Sequence, residues 1–445
     1  MELNQVINRD IVCACGRTHR VDIGCVAIER GALARLPGLV AGYRRIVLVA
    51  DDNTWAACGH AVPAYLGEKL AARLIFPVAD GHVVPNEESV AAIEAVLPAD
   101  VDLIIGVGSG VINDLCKYVS FHHSLPYYII ATAPSMDGFA SSGAAMIWAG
   151  MKVTFTTHTP SAILGDLDVL CTAPLDLIKA GYGDMIGKYN SLCDWRLAAA
   201  LNGEYICPFV HDLVKETADR IAATAEGLVA RDPEAIRRLT EGLILSGVSL
   251  SMVGTTRPGS GSEHHLSHFA EIVGLIRHEF HYSHGLDVGY AAVLTGAMRE
   301  RMAAIEDPQF DPAAGEVPHA ALARIYGDFA GEVEAIQKKG GWYANYDPAH
   351  LREKWPEVRR IFAEAPGQAE TRAMLERVGL DFGDYLRAYG EAKIGDAMLH
   401  GKDLKDRYSM LWLYWALFRR EAELPGGACA AIARYFDDDA FIPCS

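Results

Sequence analysis

The sequence predicts an α/β domain over residues 1–168, followed by an all-helical domain over residues 169–445. Apolar runs alternate with helix-like segments in the first part of the chain, and this alternation is typical of a doubly wound parallel sheet. From Pro174 onward, helical periodicity dominates and runs of β-branched residues are few. The length of 445 residues also exceeds that of most single domains.

Four apolar runs are the predicted strands of the sheet. RRIVLVADD ends in acidic residues, and ARLIFPV, VDLIIGVGSG and YYIIATAPS follow it along the chain. Between the second and third runs, NEESVAAIEAVLP has helical spacing, with Asn86 in the position of an N-cap. In such a sheet the loops after the strands gather at one edge, and we expect functional residues there.

The composition excludes several classes of protein. The formal charge of −17 argues against a general nucleic-acid-binding protein, which needs basic surfaces. No apolar stretch has the length of a membrane span, and the amino terminus shows no signal-peptide pattern. Ten scattered cysteines are typical of reduced thiols. We therefore expect a cytoplasmic protein without a membrane partner.

The segment CACGRTH contains the densest group of cysteines, with Cys13 and Cys15 followed by His19. These side chains can bind a metal, but one C-x-C with one histidine is a weak signal. A structural turn beside a short strand is the favoured interpretation.

A glycine-rich loop, GVGSGVIND, follows the third predicted strand. Gly106, Gly108 and Gly110 allow the backbone to approach a phosphate, and the next helix offers unpaired N–H groups. The loop is not the dinucleotide motif G-x-G-x-x-G, because Val111 holds the sixth position, nor is it a Walker loop. A tight strand-to-helix turn is the alternative. Polar side chains that suit a ribose or pyrophosphate follow the loop: Asn113, Asp114 and Lys117.

A second loop rich in glycine and serine, ATAPSMDGFASSG, follows the fourth predicted strand. Its converging polar side chains are Thr132, Ser135, Asp137 and Ser141. Two such loops beside each other at one edge of the sheet indicate a nucleotide crevice. Asp51, after the first predicted strand, can bind ribose hydroxyls and would favour NAD over NADP, since it would repel a 2′-phosphate. An acid that closes a strand in a solvated loop is the alternative.

Candidate metal ligands occur in separate segments of the second half. AGYGDMIGKY places Asp184 at the start of a helix, where an ion pair with Lys188 is the alternative. HYSHGLDVGY places His284 at a loop-to-helix junction. One aspartate and two histidines suit Zn²⁺, Fe²⁺ or Ni²⁺, with coordination positions left open.

The segment GSGSEHHLSHF supplies three more histidines. With Ser262 as N-cap, a helix puts His264, His268 and Glu271 on one stripe. His265 falls on the neighbouring apolar stripe and is expected to be a packing residue. His264 and His268 project together, so one can bind a metal while the other contacts what the metal holds.

Together these segments resemble the bacterial branch of the glycerol-1-phosphate dehydrogenase family, within the iron-containing alcohol dehydrogenase and dehydroquinate synthase-like superfamily. The resemblance covers nearly the whole chain and includes CACGRTH, GVGSGVIND, TAPSMDGFAS, GDLDVL, AGYGDMIGKYNSLCDW, GSGSEHHLSHF, SHG and LKDRYSMLWLY. It implies a Rossmann-like dinucleotide-binding domain, an all-helical metal- and substrate-binding domain, and an active site in the cleft between them.

The resemblance also implies roles for particular residues. The residues expected to contact NAD(P)H are Asp51, Gly108, Ser109, Gly110, Val111, Ile112, Thr132, Ser135 and Ser141. One divalent metal (Zn, Ni or Fe) would be held by Asp184, His264 and His284. The substrate would meet Asp137, Asp184 and His268, with Asp137 and His268 as catalytic residues. His265 departs from relatives, which often have an apolar residue there, and the His264-to-His284 spacing is longer than in archaeal members.

The activity implied is the reversible reduction of dihydroxyacetone phosphate to sn-glycerol 1-phosphate, with the product used in phospholipid metabolism. A homodimer is expected from the bacterial branch. Alternatives are a metal-dependent glycerol or other polyol dehydrogenase, a dehydroquinate synthase-like cyclase, and a non-catalytic binding protein of the same fold. A cyclase needs further basic residues whose arrangement is not evident. Arg257 is either a phosphate contact or a solvated loop arginine.

Overall fold

The computed structural model describes residues 1–78 and 83–422. Their strands are β1 Ile11–Val12, β2 Thr18–His19, β3 Cys25–Glu29, β4 Ile46–Asp51, β5 Leu70–Phe76, β6 Leu103–Gly108, β7 Tyr127–Ala131, β8 Gly143–Trp148, β9 Met151–Thr156 and β10 Ala162–Asp166. The helices up to residue 170 are α1 Leu36–Leu39, α2 Asp52–Ala57, α3 Val62–Leu66, α4 Glu87–Ala95, α5 Gly110–His122 and α6 Leu167–Leu170.

The remaining described chain, residues 171–422, contains helices and no strand. They are α7 Leu175–Asn202, α8 Pro208–Ala222, α9 Ala225–Val229, α10 Pro233–Val253, α11 Ser262–Arg277, α12 His284–Ala303, α13 His319–Tyr326, α14 Ala330–Gly340, α15 Pro348–Phe362, α16 Gln368–Glu376, α17 Phe382–His400 and α18 Met410–Ala422. The predicted fold class, a parallel sheet followed by helices, is confirmed. In the described ranges no helix is both long and apolar enough to cross a membrane.

Six strands form one sheet in the order β3-β10-β7-β6-β4-β5, and all neighbours are parallel. The four predicted strands are β4 to β7. Every residue of β6 is buried, and so is every residue of β4 except the last, as expected for strands covered on both faces. Because β4, β6 and β7 are adjacent and parallel, their carboxyl ends lie side by side.

The hydrophobic core against this sheet explains why the apolar runs became strands. Ile46 and Leu48 of β4 and Ile105 of β6 share one buried cluster with Leu36 of α1 and Val62 of α3. Asn86 is the N-cap of α4, as predicted, with its Oδ1 accepting the N–H of Ser89 at 3.0 Å. Strand and cap patterns were therefore reliable in this part of the chain.

The hairpin β8–β9 was not predicted. Its strands pair antiparallel from Gly143 with Thr156 to Trp148 with Met151. The two turn residues, Ala149 and Gly150, have φ of 49° and 78°, which is typical of a two-residue hairpin turn.

The described chain forms two compact units whose limits differ from the predicted domains. The first unit comprises Met1–Met185 and Pro208–Thr256, and the second comprises Ile186–Cys207 and the described residues from Arg257 onward. In the first unit α10 packs on α8 and β3, and in the second α11 packs on α12 and α17. The division at residue 168 stays a prediction about domains, because a compact unit defined by contacts need not be one domain.

Candidate active site

The glycine-rich loop joins β6 to α5 with a helix start that lacks a side-chain cap. Ser109 is the N-cap residue, but its hydroxyl donates to the carbonyl of Ala133 at 3.2 Å and lies 2.5 Å from Ser135 Oγ. The N–H of Thr132 donates to the carbonyl of Gly108 at 3.2 Å. The loops after β6 and β7 are therefore hydrogen-bonded to each other. The first amides of α5 have the arrangement that binds phosphate.

Two of the loop glycines are needed for packing within the protein. A Cβ on Gly108 would lie 2.6 Å from Ile112 Cβ, and one on Gly106 would lie 3.0 Å from Cys116 Sγ. The alternative of a tight strand-to-helix turn therefore describes these two positions. A Cβ on Gly110 would meet only the flexible end of Met136, at 2.6 Å.

The polar residues after the loop do not face a ligand, and that prediction was wrong. Asn113, Asp114 and Lys117 are all buried. Lys117 Nζ donates to the carbonyls of Gly138 at 2.7 Å and Gly143 at 2.9 Å. Burial raises the pKa of Asp114 and lowers that of Lys117. These side chains hold the neighbouring loop, because this face of α5 packs inward.

Asp51 has a structural role that neither alternative included. Its Oδ1 accepts the N–H of Thr54 at 2.8 Å, and its own N–H donates to Thr54 Oγ1 at 3.0 Å. This reciprocal pair caps α2. Asp51 ends β4, the neighbour of β6, and its ribose contact stays a prediction. So does the cofactor contact of Ser141, which is 7% exposed and bonded to Gly138.

Asp137 and Asp184 lie together in the first unit. Asp184 Oδ2 accepts the backbone N–H of Asp137 at 3.0 Å, and Asp137 Oδ2 accepts the hydroxyl of Ser246 on α10 at 2.8 Å. Asp184 is fully buried inside α7, not at a helix start as predicted, because α7 already begins at Leu175. Ser246 was missed by the sequence analysis.

Two helical glycines fix the position of the loop that carries Asp137. A Cβ on Gly181 of α7 would lie 1.9 Å from the carbonyl oxygen of Pro134, and one on Gly247 of α10 would lie 2.7 Å from that of Asp137. These distances are too short for any side chain. Both helices therefore approach the loop backbone directly.

Replacing Gly181 with alanine is expected to lower kcat/KM by about 10²-fold, because the methyl group must displace Pro134 and the loop after it. Steady-state kinetics and thermal unfolding measure the effect. Gly331→Ala is the matched control, since its added Cβ meets no atom within 4 Å. Unchanged kinetics in Gly181→Ala would show that the loop position does not matter for turnover.

The histidine helix α11 begins one residue earlier than predicted. Gly261 is its N-cap, and Ser262 is its first residue. Asp194 of α7 supplies the cap instead, because its Oδ2 accepts both the N–H of Ser262 at 2.6 Å and its hydroxyl at 2.5 Å. The carboxylate of Glu263 accepts the N–H of Gly261 at 2.8 Å.

His264 is held by an adjacent carboxylate and lies beside His284. Glu263 Oε1 is 2.7 Å from His264 Nδ1, and Glu263 is fully buried. Burial raises the pKa of Glu263 to about 7. His284 is the first residue of α12, at the predicted junction, and its ring centroid is 5.0 Å from that of His264. When Glu263 accepts the Nδ1 proton, Nε2 of His264 keeps the lone pair that a metal needs.

His268 completes the group of histidines in the second unit. Its ring stacks on His284 with centroids 5.5 Å apart, and its Nδ1 is 3.7 Å from Glu271 Oε2. One ligand atom from each of His268, Glu271 and His284 lies within 4.8 Å of the others. His284 is therefore close to all three members of the predicted stripe.

His265 is a packing residue, as predicted. It is fully buried, and neither ring nitrogen has a hydrogen-bond partner among the described residues. Burial lowers its pKa well below the ordinary value.

Arg257 is not a solvated loop residue. It is buried and paired with Glu204, whose Oε1 accepts from Nε at 2.6 Å, and its Nη1 donates to the carbonyl of Tyr408 at 2.5 Å. Its side chain therefore anchors the loop before α11.

Known proteins are similar to this chain in sequence and in fold. The family described as "Iron-containing alcohol dehydrogenase" matches residues 27–174. A glycerol-1-phosphate dehydrogenase [NAD(P)+] of Geobacillus stearothermophilus is 35% identical over 85% of this chain and 88% of its own. One from Halalkalibacterium halodurans is 36% identical over 64% and 73%. An iron-containing alcohol dehydrogenase from Corynebacterium glutamicum has the same fold, with a TM-score of 0.54, 18% identity, and coverage of 97% of this chain and 99% of its own. At this identity and coverage, the chain belongs to the glycerol-1-phosphate dehydrogenase family.

Proposed function

We propose that this chain catalyses the reversible reduction of dihydroxyacetone phosphate to sn-glycerol 1-phosphate with NAD(P)H and a divalent metal. The observation that carries the proposal is the buried Glu263–His264 pair beside His284. A carboxylate on one ring nitrogen of a histidine orients the other toward a metal. The substrate is that of the curated relatives.

Asp184, His264 and His284 are the proposed metal ligands, and zinc, nickel and iron all accept this donor set. Asp184 lies one helical turn before Lys188 on α7, and Lys188 Nζ donates to the carbonyl of Gly259 in the loop that precedes α11. This bond fixes the loop that leads into the histidine helix. A bound divalent metal supplies Lewis-acid polarisation of the ketone oxygen.

The cofactor is proposed to bind at the shared carboxyl edge of β4, β6 and β7. Its pyrophosphate would bind the uncapped amides of α5 at Gly110 and Val111. Ser109 and Ser135, whose hydroxyls join the loops after β6 and β7, would contact the nicotinamide half of the cofactor. Asp51 would contact the adenosine ribose. Bound NAD(P)H supplies the hydride that the carbonyl carbon accepts.

Asp137 and His268 are proposed to hold the substrate and to handle its proton. Glu271 Oε2 lies 3.7 Å from His268 Nδ1, and the His268 ring stacks on His284. His268 provides the proton that the new hydroxyl group requires, while the carboxylate of Asp137, fixed by Ser246, accepts a substrate hydroxyl. Both steps depend on a fixed geometry.

Removal of the metal with a chelator is expected to lower NADH consumption on dihydroxyacetone phosphate by at least about 10²-fold. Zinc, nickel or iron should restore it, and elemental analysis identifies the native metal. Undiminished turnover in a metal-free sample would overturn the metal role. A preference for glycerol over glycerol 1-phosphate in the reverse assay would favour a polyol dehydrogenase instead.

We further propose that the protein is a cytoplasmic homodimer and that its product enters phospholipid synthesis. This part of the proposal rests on the resemblance to the family. Light scattering of the purified protein tests the dimer, and a monomer at assay concentrations would contradict it.

A further inference from the structure

The amino-terminal hairpin β1–β2 carries two cysteines in a tight turn. The N–H of Cys13 donates to the carbonyl of Arg17 at 3.0 Å, and that of Gly16 donates to the carbonyl of Cys13 at 3.1 Å. Gly16 has φ of 85°, a conformation that favours glycine. The turn expected from CACGRTH is therefore present, and both cysteines lie in it between β1 and β2.

His19 is oriented toward these thiols. It is 1% exposed, and its Nδ1 lies 2.9 Å from the carbonyl oxygen of Met252. Since a carbonyl only accepts, Nδ1 carries the proton and Nε2 keeps its lone pair. Nε2 is 3.3 Å from Cys15 Sγ, and one ligand atom each of Cys13, Cys15 and His19 lies within 4.8 Å of the others. A histidine fixed by a carbonyl on one nitrogen is typical of metal ligands.

An aromatic ring packs on His19 within the same unit. The ring of Phe209 stacks on His19, with centroids 6.5 Å apart and an interplanar angle of 15°. We propose that Cys13, Cys15 and His19 bind a structural zinc ion. This site is distinct from the catalytic metal.

The donor chemistry favours zinc and a structural role. Two thiolates and one imidazole from one short hairpin are ligands that structural zinc sites use. Thiolates also select zinc more strongly than do the carboxylate and imidazoles of the catalytic ligands. Strands of two residues contribute little stability of their own, so the ion ties the amino-terminal hairpin to Met252 on α10 through His19.

Cobalt substitution of the full-length protein tests the proposal. Thiolate–cobalt bonds give an intense near-ultraviolet charge-transfer band, whereas an Asp–His–His site has no thiolate and gives none. We expect the band in the wild-type protein and, undiminished, in His264→Ala, which removes a proposed catalytic ligand. A cobalt-loaded protein without the band would overturn the thiolate site while leaving the proposed dehydrogenase function untouched.

Serine variants locate the ligands. Cys13→Ser and Cys15→Ser should each lose the band and one equivalent of zinc, and should unfold at a lower temperature. Cys171→Ser is the control, because Cys171 is likewise half-buried but lies after α6, outside the cluster. Retention of the full zinc content and the band in both Cys13→Ser and Cys15→Ser would contradict the assignment. If these variants do not fold, zinc release from the wild-type protein on titration with a mercurial decides: no release would overturn the proposal.

Discussion

Replacing His264 with alanine is expected to remove the catalytic metal and to lower kcat/KM by about 10³-fold or more. The loss corresponds to about 4 kcal/mol of transition-state stabilisation, within what a Lewis acid contributes. His264 is the proposed ligand whose Nδ1 contacts the buried carboxylate of Glu263 at 2.7 Å, so its ring cannot be replaced by a neighbour. Elemental analysis and NADH consumption on dihydroxyacetone phosphate measure the two effects together.

His265→Leu is the matched control for this variant, since it changes the adjacent histidine. It should keep the metal and leave kcat/KM within about threefold of wild type. The free energy of unfolding should stay equal or rise, because the substitution removes two buried ring nitrogens that have no hydrogen-bond partner. If His264→Ala kept its metal while His265→Leu lost it, the helical assignment of the two histidines would be reversed.

The separation of His264 from His265 could be predicted because helical periodicity fixes which residues share a face, even when the helix start is misplaced by one residue. The start itself could not be predicted. Asp194, which caps α11 in place of Ser262, is far away in sequence. A capping motif read from neighbouring residues does not include such a partner.

The same limit explains the errors around the cofactor loop. The position of Asn113, Asp114 and Lys117 after a glycine loop suits a nucleotide, but only the fold shows that this face of α5 is buried. The parallel strands were easier to predict from the sequence, because continuous apolar runs identify them directly. In the hairpin β8–β9, the pair Ala149-Gly150 separates two largely apolar segments. This pattern indicates a turn but was not interpreted as one.

The residues that fix Asp137 had no local signal at all. Ser246 and Gly247 lie in a helix of small residues, and nothing in that segment indicates that it meets a loop more than 100 residues earlier. The sequence is enough to propose Asp137 as a catalytic residue. Its hydrogen bond to Ser246 could not be predicted, because that bond joins two distant parts of the chain.

Replacing Asp137 with alanine is expected to lower kcat/KM by about 10³-fold with the metal retained. A half-buried carboxylate that binds a polar substrate group contributes several kcal/mol, and its removal leaves that group without a partner. The dependence on substrate concentration separates a loss in KM from a loss in kcat. A full loss of metal would show that Asp137 acts through Asp184, whose carboxylate accepts its N–H at 3.0 Å.

Ser246→Ala tests whether the hydroxyl positions that carboxylate. One hydrogen bond to a charged group is worth about 1.5–3 kcal/mol, so kcat/KM should fall by about tenfold or more. Ser249→Ala on the same helix is the control, because Ser249 bonds only the carbonyl of Leu245 at 2.8 Å. In an Asp137→Ala background, Ser246→Ala should have no further effect on kcat/KM. Additive losses in the double variant would mean that Ser246 acts on the reaction independently of Asp137.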